Sequence, residues 1–329
     1  MKRTFSLVLI AMAMVLPGCK SGTAPNPPVV FTRASTIVTA NAYSAPGSPP
    51  ITLPQYETFP ATGTGNIAPT TQVSGAATTL NDPIGVAYDS SGNIWVGNYS
   101  SASVLEFAAS ANGNIAPSVT ISGGLTTFSQ PWGVYVTSSG KIYVADCGNN
   151  AIDVFNSGAS GNVAPATQIK GGATGLDCPS GISVDSSANI WVANYSGNSV
   201  EEFSSSASGN VAPAVTITGG LTTLASPVGL SRDRHGNTWI GNNTTSSILE
   251  FASTASGNVA PMNTIAGGLT NQNGTTGVAV DAKGYIYEVG ENIGAVNVFA
   301  PGATGNVAPV QTISGASTNL GGLWSVAVH

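Results

Sequence analysis

Phe107 and the run Gly113-Asn114-Ile115-Ala116-Pro117, with Gly123 behind them, belong to a pattern that this chain repeats every 48 residues. Copies of the Gly-Asn-Ile/Val-Ala-Pro run begin at Gly65, Gly113, Gly161, Gly209, Gly257 and Gly305. Each has a phenylalanine ahead of it (Phe59, Phe107, Phe155, Phe203, Phe251, Phe299) and a glycine after it (Gly75, Gly123, Gly171, Gly219, Gly267, Gly315). A fixed period with constant punctuation means one supersecondary unit stacked on copies of itself, because a unit this small cannot bury its own apolar face. The period therefore sets the architecture before composition is considered.

One unit reads as four strands. Gly85-Val86-Ala87-Tyr88-Asp89 alternates, and Ser90-Ser91-Gly92-Asn93 is a turn whose glycine supplies the positive φ that tight hairpins need. Ile94-Trp95-Val96, Ser103-Val104-Leu105-Glu106-Phe107 and Ser118-Val119-Thr120-Ile121 follow. Four antiparallel strands in 48 residues, with no helical periodicity, form a β-propeller blade. The repeated large residues (Trp95, Tyr143, Trp191, Trp239, Tyr287) and phenylalanines are expected between blades. The asparagine of each Gly-Asn pair is expected to brace its own turn.

The two ends complete one another. The chain finishes on a first strand, residues 324–329, while residues 36–43, 52–59 and 70–73 read as a second, third and fourth strand, with an insert at 44–50. The expected fold is all-β: six four-stranded blades over residues 36–329, closed by terminal strands that share a blade and leave no free edge at the seam.

Nine basic and 15 acidic residues give a net charge of −6, and only 7% of residues are charged, which argues against a nucleic-acid partner. Residues 1–19 read as a signal peptide: Lys2 and Arg3 precede an apolar stretch, residues 5–16, too short to span a bilayer. Leu16-Pro17-Gly18-Cys19 resembles a bacterial lipoprotein signal, from which Pro17 departs; the alternative is an ordinary secretory signal. The resemblance implies lipidation of Cys19, followed by a Pro-rich tether over residues 20–35. With Lys20 rather than Asp after the cysteine, it further implies an outer-membrane lipoprotein. The expected location is the bacterial cell envelope or the exterior, with membrane contact only through the anchor and a monomeric state.

The runs Pro83-Ile84-Gly85-Val86-Ala87-Tyr88-Asp89-Ser90-Ser91-Gly92-Asn93-Ile94-Trp95-Val96 and Pro179-Ser180-Gly181-Ile182-Ser183-Val184-Asp185 resemble NHL-type repeats, and are close to repeats of gluconolactonase-like and streptogramin-lyase-like propellers. The resemblance covers almost all of the chain beyond the tether. It implies the fold, which hosts both enzymes and binding modules. Gluconolactonase-like enzymes hold a divalent metal with Glu, Asn and Asp at the channel mouth; the nearest equivalent here is Asn98, Asp146, Asn194 and Asn242. Such oxygen ligands suit Ca²⁺, but the four share one repeat position, where Asx side chains commonly stabilise turns. No cofactor is expected, with Ca²⁺ the one considered. Streptogramin-lyase-like enzymes rely on histidines near the channel, whereas His235 sits at a hairpin tip and His329 ends the chain.

Two further features stand out from the repeat. Cys147 lies between second and third strands of one blade and Cys178 enters the next; both loops emerge on one face, so an exported chain is expected to join them. Two buried thiols are the alternative. On that face Trp132 and Trp324 stand at strand entry, and Tyr99, Tyr195, Asn243 and Glu291 share the loop position of Cys147. This rim either holds a protein, peptide or carbohydrate at the channel mouth or fills the channel. The expected function is a surface-tethered, non-enzymatic binding or protein-interaction propeller. A metal-dependent hydrolase or lyase of the gluconolactonase-like class and a structural envelope protein are the alternatives.

Overall fold

The computed structural model describes residues 33–43 and 53–329. The signal peptide, Cys19, most of the tether and the insert at 44–50 lie outside the described residues. The rest forms six four-stranded antiparallel sheets around a central channel. Blades I to V run in chain order over residues 83–122, 131–170, 179–218, 227–265 and 275–314. Blade VI takes its first strand from Gly322–Val328 and its others from Thr36–Tyr43, Gln55–Pro60 and Thr71–Ser74. Val38 pairs with Ala327 and Thr39 with Val326, so chain start and chain end are welded in one ladder.

The apolar cores lie in the seams between blades. Ala87, Trp95, Val104 and Ile121 of blade I meet Val134, Val136, Ile142, Val144 and Phe155 of blade II. Five further seams repeat this arrangement, the last joining blade VI to blade I. Each repeated phenylalanine is at most 1% exposed, a burial contributing about 1.5–3 kcal/mol apiece. The Trp indoles also reach back: Nε1 of Trp95, Trp191 and Trp239 donates to Asp89, Asp185 and Asp233 at 3.3–3.4 Å, and those carboxylates cap their own hairpins.

The repeated asparagine does something other than brace its turn. Asn114 Oδ1 accepts from the backbone N–H of Ala77, which belongs to the preceding blade, at 2.8 Å. Asn66, Asn162, Asn210, Asn258 and Asn306 do the same for Ser317, Leu125, Ala173, Leu221 and Leu269. The glycine before each asparagine forms a parallel bridge to the preceding blade's outer strand, as Gly113 does with Val73. Gly75 and its equivalents close the device: their φ lies between 111° and 131°, and a Cβ there would sit 2.5–2.7 Å from the asparagine amide carbon. The constant residues therefore form an inter-blade clasp. It is made six times, including Gly65 to Ile313 across the closure.

First strands crowd round the channel. A Cβ on Gly85 would lie 2.0 Å from the carbonyl oxygen of Trp132, which explains a glycine at this position in blades I to V. Blade VI carries Ser325 instead, whose Oγ accepts from Val86 N–H at 3.3 Å.

Candidate functional site

The channel has two ends of opposite character. Cys147 and Cys178 are joined by a disulfide on the face where second strands turn into third strands. Beside it, Trp132 is 7% exposed and lies 5.4 Å from the ring of Trp324, 5.5 Å from Tyr195 and 5.9 Å from Tyr99. Ile84 and Val228 complete the layer, and Ser180 and Thr276, at the same repeat position, turn their hydroxyls to carbonyls of the next blade. A chamber of only about 70 Å³ remains beneath. Filling of the channel, one of the two expectations for this rim, is thus what the geometry displays. Asn243 and Glu291 pair with each other across blades IV and V at 3.2 Å.

Asn98, Asp146, Asn194 and Asn242, expected as a ring at the mouth, are fully buried and face into their own blades. Asn98 Oδ1 accepts from Asn81 N–H at 2.6 Å, and its Nδ2 donates to the Thr79 carbonyl and to Ser103. Asn194 and Asn242 repeat that pattern. The Asp146 carboxylate accepts from Ser129 N–H, Gln130 N–H and Asn149. Their polar atoms are committed to shaping the loop that enters the blade. Among the described residues no group of three His, Cys, Asp or Glu side chains is placed to hold a metal.

A set of buried acids lies further out, and sequence reasoning missed it. Glu57, Asp153 and Glu201 share one third-strand position, where other blades carry Leu105, Leu249 and Asn297. Burial pushes Glu57 up to about 8, opposed by hydrogen bonds from Asn41, Thr39 and Gln55. Burial raises Asp153 and Glu201 to about 7, and Glu288, held by Asn297 and Thr275, likewise. Comparing residues 57, 105, 153, 201, 249 and 297 as one column would have exposed Glu57, Asp153 and Glu201. They sit inside blades, away from the channel.

The opposite end of the channel opens. Around the hairpins between first and second strands lies a bowl of about 520 Å³. Its floor is the ring Val86, Val134, Ile182, Leu230, Val278 and Val326, one residue per blade. Ser183, Ser231, Tyr88 and Tyr135 form its walls, and Asp185, Arg232, Asp233 and Arg234 its lip on blades III and IV. Arg232 replaces the valine of four other blades and lies 4.1 Å over the Trp191 ring, donating to Thr238 Oγ1 at 2.8 Å. Desolvation lowers its pKa, with Asp185, Glu202 and Asp233 holding it charged. His235 stands at the blade IV hairpin and His329 beside Tyr88, their rings 5.3 Å apart in the latter pair. The chain enters the ring on this face too, Ser35 N–H donating to the His329 carbonyl at 2.7 Å.

The family model for the NHL repeat matches residues 128–155, which run from the blade II entry loop through its third strand. Blade II of the ring thus matches an NHL repeat. Among curated proteins none matches the chain. Solved structures similar to this six-bladed propeller include a protein of unknown function from Bacteroides caccae, 8% identical, with a TM-score of 0.63 over 89% of this chain and 98% of that one. The nidogen/laminin complex contains another, 13% identical, with a TM-score of 0.61 over 88% and 97%. A streptogramin B lyase structure is 14% identical, with a TM-score of 0.49 over 66% of this chain and 65% of that one, so the chain spans about two thirds of that enzyme's length. These likenesses are of fold. An NHL propeller is consistent with a binding or interaction module, and its site has to be argued from its own residues.

Proposed function

We propose that this protein is an exported binding propeller, tethered to the bacterial envelope through Cys19, that receives a small ligand in the bowl on its hairpin face. The observation that carries this reading is the contrast between the channel's two ends: aromatic filling at one, a bowl of about 520 Å³ at the other. Concave sites of this size are where small ligands are bound. Cys19 is 14 residues ahead of Arg33, a reach of about 45–50 Å at full extension. No helix among the described residues is long and apolar enough to cross a membrane.

The test fills the bowl. Tyr135 shows that its wall position accepts an aromatic, and Ser183 and Ala327 are its equivalents in blades III and VI. Ser183→Trp or Ala327→Trp should abolish the stabilisation that a bound ligand gives in a thermal-shift screen of envelope extracts. Trp132→Ala, at the filled end, should lower the melting temperature and leave that ligand-induced shift in place. The reverse pattern would move the site to the disulfide face. Tethering is checked separately: Cys19→Ala should release the protein from the membrane fraction.

A further inference from the structure

We infer that the bowl takes a short, uncharged peptide, held through its main chain by the open edges of the first strands. This rests on the bowl being the ligand site. Each first strand ends the strand order of its sheet, with a second strand on one side and no strand on the other. In such a strand alternate residues turn both N–H and C=O away from the ladder. Two contacts show the direction, and use up two of the donors: Val86 N–H donates to Ser325 Oγ and Val280 N–H to Ser231 Oγ, each hydroxyl belonging to a neighbouring blade. Six such edges converge on the bowl, so a peptide can pair with the outward main-chain groups that those two contacts leave, as a strand does when it adds to a sheet edge. The aliphatic floor suits small apolar side chains between those contacts.

Other ligand chemistries fit less well. Asp185 and Asp233 spend their oxygens on their own hairpin N–H groups and indoles. Arg232 is stacked on Trp191, and Arg234 is engaged with His235 and the Ala282 carbonyl. A charged ligand would therefore lose its hydration without gaining a dedicated partner. A sugar asks for an exposed aromatic face, yet Tyr88 lies against His329 and Tyr135 packs into the seam between blades II and III.

The experiment uses the full chain and saturation-transfer NMR, with a pool of capped tetrapeptides built from Gly, Ala, Ser and Val, and maltotriose as the comparison probe. Peptides should bind, maltotriose should not, and N-methylation of alternate amides in the tightest peptide should weaken it at least tenfold. Ser183→Trp, once its melting curve shows a folded ring, should abolish binding; Ala327→Trp is the second variant. Binding of maltotriose that Ser183→Trp removes would overturn the peptide class and leave the bowl standing. Peptide binding that persists in both bowl-filled variants would overturn the bowl itself. No peptide binding at millimolar concentration, or indifference to N-methylation, would also overturn the class.

Discussion

Asn162 illustrates how one residue can be read correctly as constant and incorrectly as local. Its Oδ1 takes the N–H of Leu125, 37 residues earlier and one blade away. A reading of one repeat sees only the turn around it, because the partner lies beyond the unit. Asn162→Ala should cost about 1 kcal/mol, the net worth of one lost hydrogen bond, whereas Asn162→Asp keeps the acceptor and should cost less. Gly123→Ala should cost more than either, since its φ of 114° disfavours a side chain and a Cβ would meet Asn162 at 2.6 Å. Urea midpoints of the three variants test the order. Glu57 gives a second residue-scale expectation. Folded, it keeps its proton up to about pH 8; unfolded, it releases it near 4.3. The folded state thus binds the extra proton between those values, so Glu57's contribution is complete below the lower one and is lost as pH rises through the upper. Glu288, at about 7, adds the same sign. Stability should fall from pH 5 to 9, and Glu57→Gln should flatten that fall in pH-dependent denaturation; an unchanged slope would remove Glu57 as its source.

At the scale of loops and strands, the Cys147–Cys178 bridge joins the second-to-third-strand loop of blade II to the entry loop of blade III. The same two loops also share a hydrogen bond, Cys178 N–H donating to Asn150 Oδ1, which blades III and IV repeat as Ser226 N–H to Asn198 Oδ1 with Tyr195 in place of the first cysteine. Closing a loop of sequence separation 31 constrains the unfolded chain, so reduction or the Cys147→Ser/Cys178→Ser pair should cost about 2–4 kcal/mol. Parallel thermal melts with and without reductant measure it, and an unshifted melt would mean that the seam holds without the bond. This pairing was legible in the sequence because blade topology assigns each loop to a face, and two loops of neighbouring blades on one face meet. The aromatic column through Trp132 and Trp324 was legible for the same reason. Its closure was not, since whether large side chains line a mouth or meet across it depends on the channel's width, which first-strand glycines such as Gly85 set. The bowl was missed because its floor, one aliphatic first-strand residue per blade, reads in the sequence as ordinary blade core.

At the scale of the whole molecule, the ring depends on one strand that arrives last. Gly322–Val328 supplies the inner strand of blade VI, with Leu323 fully buried and Val326 nearly so in the seam to blade V. Without it, Thr36–Tyr43 becomes an exposed edge, and the seams on either side of blade VI lose their inner wall. The outer clasp from Gly65 to Ile313 would remain, but it bonds only the rim of the ring. A chain ending at residue 321 should therefore lose cooperative unfolding and aggregate through the open edge. A synthetic peptide covering residues 320–329 should restore a single transition when added in excess, because the strand needs only pairing and burial, not covalent continuity. An open solenoid would behave differently: each repeat leans on its neighbours, and loss of a terminal strand trims stability locally. If the shortened chain melts in one transition close to that of the full chain, closure contributes little and the six blades hold together by their seams alone.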